Sequence, residues 1–98
     1  MSEFLLTLQQ MSDKLLQHAS SPLISFVKIE DATNCYRFYH LALWPDLFGG
    51  WSLVREWGRL GQEGTLRLRF FATEAEAEAA MREECQRRVR RGYRELLA

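Results

Sequence analysis

The sequence predicts an α+β domain: a four-stranded antiparallel sheet with a C-terminal helix packed on one face and an additional N-terminal helix. Three observations predict it. Apolar residues recur at helical spacing over residues 3–18. Between 23 and 71 the period shortens to alternating runs joined by turn residues. After Thr73 the helical period returns.

The first segment, residues 1–22, is read as an amphipathic helix and linker. Phe4, Leu8, Met11 and Leu15 fall on one helix face, widened by Leu5, Leu6 and Leu16. Ser20, Ser21 and Pro22 end it. Residues 23–98 form the second unit. LISFVKIE (23–30) is rich in β-branched and aromatic residues and reads as a strand. DATN (31–34) is a turn, because Asp and Asn satisfy nearby backbone groups. CYRFYHLALW (35–44) is a second strand, and PDLFGG (45–50) is a loop broken by Pro and Gly. WSLVREW (51–57) and TLRLRFF (65–71) are the third and fourth strands.

The last element is helical. Thr73 and Glu76 have capping-box spacing. Ala77, Met81, Cys85 and Val89 form the stripe expected to dock on the sheet. Glu78–Arg82, Glu83–Arg87 and Glu84–Arg88 are i, i+4 pairs in the favourable order. Gly92 is the expected C-terminal stop, and Tyr93, Leu96 and Leu97 then anchor the tail.

Composition narrows the function classes. The 98 residues carry 13 basic and 13 acidic side chains. Zero net charge argues against a protein that coats polyanions through many phosphate contacts. The charge is uneven, however. Residues 82–94 hold six arginines against two glutamates. Arg87, Arg88, Arg90 and Arg91 are therefore a secondary basic patch, or alternatively a solvated helix end. Two cysteines, Cys35 and Cys85, form neither a disulfide framework nor a metal motif. With His18 and His40 they lack ligand spacing. No nucleophile motif is present, so no cofactor, metal or small-molecule substrate is expected. The N-terminus begins acidic and its apolar run breaks at Gln9-Gln10, unlike a signal peptide. No run approaches the roughly 20 apolar residues of a membrane span. A cytoplasmic protein with reduced thiols is the expectation.

The stretch EWGRLGQEGTLRLRF (56–70) holds Gly58, Gly61 and Gly64 between two strands. It lacks the Gly-Lys of a phosphate loop and the strand–helix setting of a dinucleotide fingerprint. A hairpin explains it: glycines supply positive φ, and Gly58 can supply a bulge. If Trp57 pairs with Thr65, then Arg55 faces Arg67, Leu53 faces Arg69 and Trp51 faces Phe71. One sheet face then carries Val54, Leu66, Leu68 and Phe70 and is expected to receive the C-terminal helix. The other carries Trp51, Arg55, Trp57, Arg67 and Arg69. Arginines interleaved with aromatics suit stacking on bases or sugars plus phosphate contact. The same side chains can instead pack beneath the first helix, with the arginines solvated at its rim.

Trp57-Gly58-Arg59-Leu60-Gly61-Gln62-Glu63-Gly64 resembles the signature of the WGR domain, found in poly(ADP-ribose) polymerases and in bacterial stand-alone or molybdate-regulator-like proteins. Asn34-Cys35-Tyr36-Arg37-Phe38-Tyr39 resembles the family's Asn-Lys-aromatic strand, with Cys35 in place of the common Lys. Phe70 or Phe71 followed by Ala75–Ala80 resembles its entry into the helix. Arg90-Arg91-Gly92-Tyr93 resembles its exit. The resemblance covers residues 23–97 and leaves out 1–22. It implies a DNA-strand-break recognition role in which Trp57 packs against a terminal nucleotide and Arg59 bridges to DNA and partner domains. Arg55, Arg67 and Arg69 join this nucleic-acid set from the register argument alone. No ADP-ribosyltransferase domain fits in 98 residues, so polymerase activity is not carried over. The expected function is a small non-enzymatic module for nucleic acid, DNA ends or nicks. The alternative is a protein-interaction or self-association module, to which Leu47-Phe48 and the N-terminal apolar stripe point.

Overall fold

The computed structural model describes residues 23–96. The expected N-terminal helix lies outside the described residues. Strand β1 (Ile24–Glu30) leads through a 3-10 turn (Asp31–Thr33) into β2 (Cys35–Pro45). Asn34 takes the left-handed region at the turn's end, φ 51°, which short polar side chains tolerate. Strands β3 (Trp51–Arg59) and β4 (Thr65–Phe71) follow, then helix α1 (Glu74–Arg90) and β5 (Arg94–Leu96).

Among the described residues the sheet has five strands, not four, in the order β4-β3-β2-β1-β5, and neighbouring strands run antiparallel throughout. The extra strand is the tail. After α1 the chain reverses and Val27, Phe26 and Ser25 pair with Arg94, Glu95 and Leu96. Three residues are too few to show a period. Their reason for being a strand is the open edge of β1, whose backbone groups need partners.

The reversal is a Schellman motif. The N–H of Gly92 donates to Val89 O at 3.1 Å and that of Tyr93 to Arg88 O at 2.9 Å. At the other end of α1, Thr73 Oγ1 accepts from the Glu76 N–H at 3.2 Å and donates to Glu76 Oε1 at 3.0 Å, fulfilling the capping expectation.

The β3–β4 register is the one expected, from Trp57↔Thr65 to Trp51↔Phe71. The hairpin glycines divide their duties differently. Gly61 alone takes positive φ, +82°, in the turn closed by Gln62 N–H to Arg59 O at 3.1 Å. Gly58 stays in the ladder opposite Phe38, with no need of a bulge. Gly64 is required by crowding: a Cβ there would lie 2.7 Å from Phe38 Cζ and 2.8 Å from Trp57 O.

The helix takes the face opposite to the one expected. The core joins Phe26, Tyr39, Leu41, Leu43 and Leu53 to Ala77 and Met81, with Trp51, Trp57, Phe71, Cys85 and Tyr93 packed around them. These are the side chains sharing a face with Arg55, Arg67 and Arg69. Leu66, Leu68 and Phe70, expected beneath the helix, remain 43%, 41% and 70% exposed. The central strands decide this. Full burial of Phe26, Leu41, Leu43 and Leu53, at roughly 1.5–3 kcal/mol each, outweighs what the edge-strand leucines offer. The helix phase shifts accordingly. Ala77, Met81, Glu84 and Arg88 point inward, while Val89 is 60% exposed.

On the second face, His40 is buried beside Phe38, with Nδ1 2.9 Å from Ser25 Oγ. Burial pushes the imidazole below its usual value of 6.5. The neutral ring is the form the fold prefers, and the unfolded chain takes up the proton first. His40 therefore contributes stability fully above about pH 6.5, lost as pH falls towards the lower folded-state value. The expected result is that His40→Gln loses less unfolding free energy than the parent between pH 7.5 and 5.5 in denaturant titrations. Equal losses would show that His40 does not set this slope.

Candidate nucleic-acid interface

The sheet builds the site by pairing two short sequence pieces. In the β2–β3 register Tyr39 lies opposite Trp57 and Arg37 opposite Arg59. Trp57 is half-buried, and its ring stacks on Tyr39 with centroids 5.7 Å apart and planes 15° apart. The Tyr39 hydroxyl donates to Glu84 Oε1 at 2.9 Å. Burial, reinforced by the bond to Glu84, raises the Tyr39 pKa, so the phenol keeps the proton it donates. Glu84 also accepts from Arg87 Nη1 at 2.6 Å and pairs with Arg88 at 3.6 Å. The Arg88 guanidinium lies over Tyr39, 4.3 Å from its centroid, and 5.3 Å from that of Tyr93. A continuous chain of contacts from α1 thus fixes the Trp57 ring.

Arg88 is therefore no surface patch residue. It is 8% exposed, because the helix phase that buries Met81 also turns position 88 inward and the Schellman reversal lays Tyr93 against it. Arg87, Arg90 and Arg91 remain exposed, though Arg87 is engaged with Glu84.

Arg59 is exposed and held. Its Nη2 donates to Asn34 Oδ1 at 3.2 Å and its Nη1 to Asn34 O at 3.3 Å, with the guanidinium 5.3 Å over Tyr36. Tyr36 in turn donates to Asp31 Oδ1. The left-handed Asn34 aims both of its acceptors at Arg59, which ties the two resemblance-bearing motifs together.

Arg55 is half-buried, its Cζ 5.4 Å from the Trp57 ring centroid. Arg55 Nε is buried and has no hydrogen-bond partner among the described residues. Arg67 sits directly opposite Arg55 and is exposed, with Nη1 donating to Leu66 O at 2.8 Å. Arg69 is exposed and lies over Phe71 at 4.8 Å. Trp57, Arg55, Arg67 and Arg69 thus share one sheet face by strand alternation, while the Arg59 guanidinium turns to the sheet end, over Tyr36 and onto Asn34.

Two cations escape the sequence reading. Lys28, Arg37 and Arg59 are successive cross-strand partners on β1, β2 and β3. Their positions form a row across the sheet; Lys28 and Arg37 alternate onto the face of Arg55, Arg67 and Arg69, while the Arg59 guanidinium is drawn to Asn34 and Tyr36 at the sheet end. Lys28 has Glu30 at 4.0 Å, and Arg37 is exposed. A signal for Arg37 exists in the spacing: it is three residues after Asn34, and pairing the Asn34 and Trp57 motifs in register places it beside Arg59. Like charges opposite each other are unfavourable by a few tenths of a kcal/mol or more. Their repetition across the sheet favours an anion on this face.

Among the described residues no three His, Cys, Asp or Glu side chains are grouped to hold a metal ion. No described helix is long and apolar enough to cross a membrane.

The sequence model of the WGR domain matches residues 23–98. The WGR domain is a nucleic-acid-binding type of module. A similar curated protein is the uncharacterized protein y4dW of Sinorhizobium fredii, 31% identical over 67 residues. The match takes in 68% of this chain and 33% of that protein, so the chain spans about a third of its relative's length. No solved structure matches the chain at comparable significance.

Proposed function

The chain belongs to the WGR domain family, and from that premise we propose that it is a non-enzymatic module binding nucleic acid at DNA ends or nicks. It reads the shape of an interrupted duplex rather than its sequence. The observation that carries this reading is the Lys28–Arg37–Arg59 row and the Arg55–Arg67 pair flanking a stacked, half-exposed Trp57. A continuous duplex hides its base faces. A broken end exposes one terminal ring, which Trp57 can cover while the arginines take the flanking phosphates.

Titrating the full chain with nicked, blunt-ended and closed circular duplexes at two salt concentrations tests it. Preference for interrupted DNA, weakened at higher salt, is expected. Trp57→Ala should lose about 1–3 kcal/mol of that binding, near the value of one base stack, with the fold intact by circular dichroism. Equal binding to closed circles, or an unaffected Trp57→Ala, overturns it.

A protein-interaction role is favoured by one separate observation. Leu47 and Phe48 are 95% and 94% exposed on a loop that Asp46 rigidifies by accepting the Phe48 and Gly50 N–H groups at 2.7 and 2.8 Å. Two large apolar side chains held out by a fixed loop fit insertion into a partner. Light scattering on the same samples separates the self-association form of this reading from a monomeric DNA binder.

A further inference from the structure

Strand β4 ends the sheet, and its outer edge pairs with no strand among the described residues. The strand is seven residues long and contains no proline or lysine, two of the devices that commonly blunt such edges. Its two sides differ sharply. Leu66, Leu68 and Phe70 form an exposed apolar row on the sheet face away from α1, while Arg67 and Arg69 form a cationic row on the other.

We propose that the β4 edge is a docking site for an extended acidic segment of a partner protein, one in which apolar and acidic residues alternate. Such a segment would add a sixth strand. Its backbone would take the open N–H and C=O groups, its apolar residues would cover Leu66, Leu68 and Phe70, and its carboxylates would meet Arg67 and Arg69. Period two makes the two rows work together, because one register satisfies both.

The charges choose this occupant over a second copy of the chain. Two β4 strands pairing antiparallel about Leu68 would set Arg67 of each against Arg69 of the other, four like charges in one seam. An acidic strand replaces those repulsions by cross-strand ion pairs. This docking requires no DNA, but it uses Arg67 and Arg69, two cations of the proposed nucleic-acid face, so an acidic strand and a phosphate backbone would compete for them.

The probe is a fluorescein-labelled peptide of alternating valine and glutamate spanning the length of β4, titrated into the full chain and followed by anisotropy. Controls carry lysine for glutamate, or glycine for valine. Binding of the Val/Glu peptide at least tenfold tighter than either control is expected, with slowed amide hydrogen exchange confined to residues 65–71 and their β3 neighbours. Arg67→Glu/Arg69→Glu should reverse the preference towards the Val/Lys peptide, which a merely unfolded variant would not do. The proposal is overturned by equal binding of the Gly/Glu control, which would mean charge attraction alone. It is also overturned by undiminished Val/Glu binding to the charge-reversed variant, or by no binding at all. Outer-edge amides of β4 already protected in the free chain would overturn it too, since the chain's own residues would then cover the edge.

Discussion

Replacing Glu84 by alanine should lower the unfolding free energy by about 3–5 kcal/mol, the usual consequence of removing one partner from a buried ion pair. Glu84 is 6% exposed and accepts from Tyr39 Oη and Arg87 Nη1 while pairing with Arg88. Its loss strands the Arg88 guanidinium, whose buried Nε already has no partner among the described residues, and leaves the Tyr39 hydroxyl without its carboxylate acceptor. Glu84→Gln retains an acceptor for Tyr39 and should cost less. Arg87→Ala should cost no more than about 1 kcal/mol, because Arg87 is largely solvated and water screens that half of the network. Replacing both buried partners, Glu84→Leu with Arg88→Met, should recover part of the loss, since no charge is then left uncompensated. Denaturant unfolding of the four variants measures the order. A Glu84→Ala loss below about 1 kcal/mol would mean that Arg88 finds solvent when its partner is gone. The variant also tests the positioning of Trp57, whose ring rests on Tyr39.

If the chain binds DNA as proposed, removing the three sheet arginines should have the largest effect on that binding. Arg55→Gln, Arg67→Gln and Arg69→Gln together should reduce the salt slope of log affinity by about one for each phosphate they neutralise in the parent. At moderate salt that corresponds to on the order of 10²-fold weaker binding. Stability should hold or rise slightly, because the Arg55–Arg67 cross-strand repulsion disappears. Equilibrium titrations across a range of salt concentrations give the slope directly. An unchanged slope in a folded triple variant would remove these arginines from the interface and leave Arg37, Arg59 and Lys28 as its cationic side.

Sequence periodicity located every strand of the meander, because alternation and turn residues are local signals. It also located the β3–β4 register, since a short loop leaves few pairings for Trp57. It fixed both ends of α1, where Thr73 and the Gly92-Tyr93 pair act through bonds within a few residues. The candidate site was legible in part. Trp57 and Arg59 stood out by motif, and Arg55, Arg67 and Arg69 by register.

Residue type alone did not separate the two sheet faces. Both sides of the β3–β4 hairpin offer apolar surface, one through Leu66, Leu68 and Phe70, the other through Trp51, Trp57 and Phe71. The helix follows the face that Phe26, Leu41 and Leu43 fill, and that face exists only once β1, β2 and β3 are side by side. For the same reason Arg88 looked like surface charge and became a buried partner of Glu84 and Tyr39. Lys28 and Arg37 joined Arg59 only through cross-strand pairing. β5 formed because β1 had an open edge to satisfy. Local hydrogen bonding and period are written in the order of residues, whereas faces, ion-pair partners and edge strands depend on distant segments meeting.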